Sequence, residues 1–255
     1  MASWTKILWG APLVILLVLV GFLVVLPALG ILFDILMPGP LNLAQKLATR
    51  NTLARLETGL GSFRADFGDY PPSDKEHMAA RPYGYQNLAY YLCGPEGRGW
   101  GGRAGGAMPF GGSNSEIFGP YFERDGKEST NDPAAGIRDA FKPAMPILYF
   151  RAEPTEEPMF DAADNPLDPT GQEGFASQAH FEMLARRAAG RWVRSDYLLI
   201  SAGPDRLFGY VVEDKTSGGF RPARLRQGGA PLRRGEARPD EKEKAFCDDV
   251  TNFAH

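Results

Sequence analysis

From Ile7 to Phe33 the chain runs without a charged residue, almost wholly in Leu, Val, Ile, Phe, Ala, Gly and Pro. A helix of that length spans about 40 Å, and a bilayer core takes about 20 residues. The pattern predicts a transmembrane helix over 7–37 behind a short segment 1–6, with Ile7 and Phe33 bounding the apolar anchor. The apolar run is about twice that of an export signal, so a retained anchor is expected rather than a cleaved one. Pro12 and Pro27 each remove a backbone hydrogen bond, which predicts a kink near Pro27. Pro38-Gly39-Pro40 then breaks the helix at 38–40.

Past this break the pattern becomes amphipathic. Leu53, Leu56, Leu60, Phe63 and Phe67 recur three and four residues apart, which predicts a stem helix over 41–68 with one buried stripe. Gly59 and Gly61 weaken that helix by about 1 kcal/mol each relative to alanine. Two roles are open to the pair: letting another element approach closely, or being simply tolerated. Gly68 and Tyr70-Pro71-Pro72-Ser73 stop the helix. Leu88, Tyr91 and Leu92 predict a second helix over 85–93, and residues 176–189 a third, ended by Gly190. Strands are expected at Ile147–Phe150, Tyr197–Ser201 and Tyr210–Val212. Residues 94–119 read as a Gly-rich loop pegged by Trp100, Met108 and Phe110. Residues 213–245 read as a long charged loop without apolar period. The apolar tail from Phe246 to Phe253 is expected to dock on a head spanning 69–255.

Composition narrows the function classes. Among 255 residues the formal net charge is −3, so no broad basic surface recommends a nucleic-acid partner. The mean hydropathy is −0.26 even with the apolar stretch included, so the remainder is distinctly polar. The charges flanking the anchor, Lys6 on one side and Lys46, Arg50 and Arg55 on the other, do not decide its orientation. There are two cysteines, Cys93 and Cys247. They are two core thiols in a reducing compartment, or one bridge tying the tail to the second helix in an oxidising one.

Catalytic motifs are sparse. No nucleophile elbow, P-loop, zinc-protease motif or dinucleotide fingerprint is present. The three histidines, His77, His180 and His255, have no partners in the sequence that suggest catalysis. Asp161, Asp164 and Asp168 share a turn-rich segment. They read as solvated turns, with an acidic-residue hydrolase as the rival. Asp205 follows the run Leu198–Gly203, and Asp248 and Asp249 lie in the docking tail. Carboxylates gathered there by the fold suit a hard cation such as calcium, or else cap turns and face water.

Three stretches then carry a resemblance. The first is Leu56-Glu57-x-x-Leu60-x-x-Phe63-Arg64-x-Asp66-Phe67-Gly68-Asp69-Tyr70-Pro71. The second is Tyr197-Leu198-Leu199-Ile200-Ser201-Ala202-Gly203-Pro204-Asp205, and the third is Asp249-Val250-Thr251-Asn252-Phe253. In this order they resemble the helix end, the strand with its Ser-x-Gly-x-Asp turn and the C-terminal ending of the major pseudopilin of type II secretion systems and its type IV pilin-like relatives. They cover about a third of the chain. The family's Phe-Thr-Leu-x-Glu processing box has no counterpart: counted from Ala11, the fifth residue is Ile15.

The resemblance implies an α+β fold. An N-terminal transmembrane helix and a long amphipathic helix would pack on a small antiparallel sheet, in a pilin-like head with long loops. The chain would pass the cytoplasmic (inner) membrane once, with its head on the extracytoplasmic, periplasmic side. Implied partners are the lipid bilayer, further copies of the chain and other pseudopilin-like subunits. Calcium is the implied cofactor, held by Asp205, Asp249, Asp248 and the carbonyl of Ala202. The expected function is therefore non-enzymatic: a membrane-anchored structural subunit or accessory of a type II secretion or pilus-like assembly. The alternatives are a tethered binding module for an envelope component or exported substrate, using an exposed Trp100 and the Gly-rich loop, and the anchored hydrolase.

Overall fold

The computed structural model describes residues 39–74, 83–94, 97–101, 117–123, 135–153, 159–165, 174–186, 191–209, 211–214, 219–222, 247 and 249–253. The expected anchor Ile7–Phe33 lies outside these residues, as do His77, Met108, Phe110, Asp168, Asp248 and His255. Among the described residues no helix is long and apolar enough to cross a membrane. The chain divides into two compact units, Met1–Ala44 and Gln45–His255. The sheets and both core clusters lie in the second.

Helix α1 runs over Gly39–Phe67. It starts two residues earlier than the expected bound at 41, because a proline in the first turn loses no intrahelical bond. It stops at Gly68, whose N–H donates to the Arg64 carbonyl at 2.8 Å. The expected stripe is buried: Leu53, Leu56, Leu60 and Phe63 are all at most 2 % exposed, and Phe67 packs at their edge. Burial begins one turn before the apolar pattern does. Thr49 is buried, and its Oγ1 accepts a hydrogen bond from the Ala140 N–H at 3.1 Å. The two glycines differ. A Cβ at Gly59 would stand 2.6 Å from the Tyr121 carbonyl oxygen, whereas at Gly61 it would meet nothing within 4 Å. Gly59 permits a close approach, and Gly61 is tolerated.

The central sheet has three antiparallel strands in the order β3–β4–β7, with β3 at Leu148–Arg151, β4 at Tyr197–Ser201 and β7 at Val250–Thr251. Its registers pair Leu148 with Ile200 and Ser201 with Val250. Successive strand residues point to opposite faces. Tyr149, Tyr197, Leu199 and Val250 join the α1 stripe in one cluster. Leu148, Phe150, Leu198 and Ile200 join Phe175, Phe181 and Leu184 in the other. Both faces are covered, which is why β3 and β4 read as unbroken apolar runs rather than alternating ones. The tail docks as expected, by adding β7 to this sheet.

Helix α2, Gly84–Cys93, covers the α1 side of the sheet together with α1. Helix α3, Gln178–Ala185, covers the other. Ser177 caps α3, its side chain accepting from the His180 N–H. The helix ends before the expected Gly190 because Arg186 is already extended and bridges Trp192.

Two stretches expected as loops contain strands. Within 94–119, β1 (Trp100–Gly101) pairs with β2 (Ile117–Phe118). Trp100 is fully buried, with its Nε1 donating to the Tyr91 carbonyl at 2.9 Å and its ring edge-on to Tyr90. The exposed Trp100 surface expected of a binding module is therefore corrected. The indole fills the core because both its ring and its one polar atom find partners there. Within the expected charged loop 213–245, β5 (Val211–Asp214) pairs with β6 (Gly219–Pro222). Pro222 closes β6 in a two-stranded pair, where a missing N–H is tolerated. The third expected strand thus forms, but it pairs with β6 and not with the central sheet.

Candidate functional site

Three of the four expected calcium ligands lie at or against the turn that follows β4. Ala202 is buried where β4 ends. Asp205 folds back over the turn, its Oδ1 accepting from the Leu207 N–H at 2.9 Å. This is the side-chain mimicry by which Asp closes a turn on the backbone two residues on. Asp249 arrives from the tail, 4 % exposed, and its Oδ2 accepts from the Gly209 N–H at 2.8 Å. Asp205 and Asp249 thus hold the same turn from its two ends.

Two carboxylates and the Ala202 carbonyl are fewer oxygens than the about six to eight that calcium takes. Among the described residues no group of three or more His, Cys, Asp or Glu side chains is placed to hold a metal ion. Asp248, the fourth expected ligand, lies outside the described residues. The donors present are oxygens, the type that calcium takes.

On the α1 side of β4 a polar network ties the three resemblance stretches together. Arg194 lies in it just ahead of the strand. Its Nη1 donates to Glu57 Oε1 of α1 at 2.8 Å, and its Nε donates to Asp196 Oδ1 at 3.1 Å. Asn252 donates to the same Glu57 oxygen at 3.1 Å, while its Oδ1 accepts from the Leu199 N–H at 2.9 Å. Tyr70, just past the end of α1, donates to Asp196 Oδ2 at 3.4 Å and stacks edge-on against Tyr197. Burial alone would raise the Asp196 carboxyl. The hydrogen bond from Arg194 and the Tyr197 N–H outweigh it and hold the group below its ordinary range. Sequence reasoning singled out Glu57, Tyr70 and Asn252 as pattern residues and missed Arg194. The signal was there: an Arg-Ser-Asp run immediately before a buried strand, where an unpaired charge is costly.

Of the acidic trio, Asp161 and Asp164 each hold a hydrogen-bond partner. Asp161 caps a short 3₁₀ turn, Ala162–Asp164, through the Ala163 N–H at 2.8 Å. Asp164 accepts the Ser73 hydroxyl, which itself accepts from the Arg151 N–H at 2.9 Å. Burial, then repulsion from Asp161, Asp74 and Glu153, pushes the Asp164 carboxyl up to about 7, against the Ser73 bond that lowers it. Asp168 lies outside the described residues. His180 Nδ1 sits 2.8 Å from Ser177 Oγ at the start of α3, a helix-cap contact. Cys93 is buried in the first cluster, and Cys247 packs half-buried against the second.

No family model, no curated protein and no solved structure matches this chain.

Proposed function

We propose that the chain is a non-enzymatic structural subunit or accessory of a type II secretion or pilus-like assembly. In this reading Ile7–Phe33 anchors it once in the cytoplasmic membrane, and the pseudopilin-like head stands on the extracytoplasmic side. The observation that carries the reading is the meeting of the three resemblance stretches. Glu57 of the stem, Tyr70 at its end and Asn252 of the tail converge on β4 through Arg194 and Asp196. Residues far apart in sequence that match a pattern in order also work as one unit in space. A second support is the stem itself. Leu43 and Leu47 are 59 % and 54 % exposed, apolar surface of the kind that assembly covers.

The rivals have less to rest on. The binding module expected at Trp100 loses that surface to the core. In the hydrolase reading, which would use Asp161, Asp164 or Asp168, Asp161 is engaged as a turn cap and Asp164 by the Ser73 hydroxyl.

The anchor is tested by the N-terminal sequence of the chain recovered from membranes. A start at Met1 or Ala2 is expected. A start beyond Gly30, with the apolar stretch removed, would sink the anchored reading.

Calcium belongs to the same proposal, held by Asp205, Asp249, Asp248 and the Ala202 carbonyl. A ligand at a hundred times its dissociation constant stabilises the folded state by about 2.7 kcal/mol. Calcium is therefore expected to raise the melting temperature of the detergent-solubilised chain by several degrees. Asp205→Asn, which keeps the bond to the Leu207 N–H, is expected to abolish the gain. No shift at millimolar calcium would remove the ion from the account.

A further inference from the structure

One turn before the Leu53 stripe begins, α1 rests on a tight loop that precedes β3. Arg138 and Pro146 bridge the base of the loop, and the Asp139 N–H donates to the Met145 carbonyl at 2.9 Å. Asp139 is 4 % exposed, and its carboxylate accepts from the Phe141 and Met145 N–H groups and, at 2.7 Å, from the Ser201 hydroxyl. The loop meets α1 at Thr49, whose Oγ1 accepts from the Ala140 N–H, and Phe141 enters the same cluster as Leu53. This contact brings four basic residues into one neighbourhood. Lys46 lies one turn from Thr49 on the same helix face and is half-buried, while Arg50 is beside Thr49 and exposed. Lys142 is exposed at the tip of the loop. Arg138 closes the loop, its Nη1 donating to the Ala144 carbonyl at 2.8 Å.

Charge is segregated here. The chain as a whole is at −3, yet the described stretches 45–56 and 135–147 carry Lys46, Arg50, Arg55, Arg138 and Lys142 against one acid, the buried and hydrogen-bonded Asp139. The excess is positive, and at Arg50 and Lys142 it faces solvent. Cations presented by a helix and by a loop tip beside it suit an extended anionic surface. The course of the chain says which surface. From Phe33, the end of the proposed anchor, to Lys46 the chain reaches at most about 45 Å. From Gly39 onward it is helical, and the reach is shorter still. A patch tethered so closely needs little affinity of its own, because the tether sets a high effective concentration of the membrane surface. Juxtamembrane lysines and arginines are drawn to anionic headgroups by a field that decays within about 8 Å at physiological salt.

We infer that this basic corner of the head docks on the anionic headgroups of the membrane that holds the anchor, with Lys46, Arg50 and Lys142 against the lipid phosphates and Arg138 holding the loop in shape. The inference rests on the anchored reading of Ile7–Phe33, and adds to it a second, electrostatic contact with the bilayer.

The test uses the full chain in lipid nanodiscs, made of phosphatidylcholine alone or of an equal mixture with phosphatidylglycerol. Acetylation of each lysine is followed by mass spectrometry. Lys46 and Lys142 are expected to react at least about threefold more slowly in the anionic discs, and high salt is expected to remove the difference. Arg64→Lys places a reporter amine at an exposed position about 27 Å farther along α1, and its rate is expected to agree between the two discs to within about 1.5-fold. Arg50→Gln/Lys142→Gln changes two exposed side chains. It is expected to cut the slowing at Lys46 to less than about 1.5-fold with an unchanged melting temperature. A chain that leaves both kinds of disc would sink the anchored reading and this inference with it. A chain that stays in both, with Lys46 and Lys142 reacting alike, overturns this inference alone. So does equal slowing of the reporter at position 64, or a double variant in which Lys46 is protected as in the parent. Equal protection in neutral discs by soluble polyglutamate also overturns it, by assigning the patch to an acidic polypeptide.

Discussion

Alanine in place of Gly84 is expected to cost the fold about 3–5 kcal/mol, while alanine in place of Gly61 is expected to gain up to about 1 kcal/mol. The contrast follows from what each Cβ would touch. At Gly84 it would stand 2.2 Å from the Tyr149 carbonyl oxygen, 2.9 Å from Asn165 Nδ2 and 3.2 Å from the Ser73 carbonyl oxygen. None of these atoms can yield cheaply. The Tyr149 carbonyl accepts from Asn165 Nδ2 at 2.7 Å, Asn165 Oδ1 accepts from the Tyr85 N–H at 3.0 Å, and the Tyr149 hydroxyl donates to the Pro71 carbonyl at 2.7 Å. Displacing α2 from β3 would break buried hydrogen bonds as well as packing, and each buried group left unpaired costs about 1–3 kcal/mol. For a chain of this size that is a drop in melting temperature on the order of 10 °C, read by thermal unfolding. A Gly84→Ala variant that melts with its parent would mean that α2 does not rest on the Tyr149 carbonyl.

Asp164→Asn is expected to flatten the fall in stability that the parent shows between mildly acidic and mildly alkaline pH. Burial first, then its acidic neighbours, lift the folded-state carboxyl of Asp164 from 3.8 to about 7. Between those values the folded chain holds a proton that the unfolded chain has released. Stability from this group is therefore fully present below about pH 4 and is lost as the pH rises through about 7. At about 1.4 kcal/mol per unit of pKa, the loss is on the order of 2–4 kcal/mol. The amide of the variant is neutral throughout and can still accept from Ser73. The variant is expected to melt on the order of 5–10 °C above the parent at pH 8 and close to it at pH 4. Asp139 is also buried and raised, chiefly by desolvation, so a smaller slope of the same sign should persist. An unchanged pH slope in Asp164→Asn would place the dependence elsewhere.

The elements with dense apolar patterns were the legible ones. Tyr197–Ser201 was read to the residue, because five consecutive buried positions between turn residues leave little choice. The stem stripe was read because four side chains at helical spacing all meet one cluster. The short ladders were not. Trp100–Gly101 and Ile117–Phe118 are two residues each, within a glycine-rich stretch whose composition argues for a loop. Gly219–Pro222 has a glycine and a proline at its ends, so its pairing with Val211–Asp214 comes from register and not from propensity. Burial of Thr49 was hidden for a different reason: a threonine with its hydroxyl satisfied can extend an apolar stripe that hydropathy alone would end earlier.

The candidate site was half legible. Asp205 and Asp249 were chosen from a pattern, and they do hold one turn. The Arg194 network was not visible. It depends on residues more than fifty positions apart, and that distance is not written in local spacing.

Assembly is the central claim, and Leu47 is the place to test it. The chain is expressed in membranes with a photo-crosslinking benzophenone amino acid at position 47, and in parallel at position 117, where Ile117 is exposed on the head. Illumination is expected to convert the position-47 protein into a ladder of covalent dimers and higher multiples of this chain, with little change at position 117. A single monomer band at position 47, in membranes where the chain is abundant, would contradict the account.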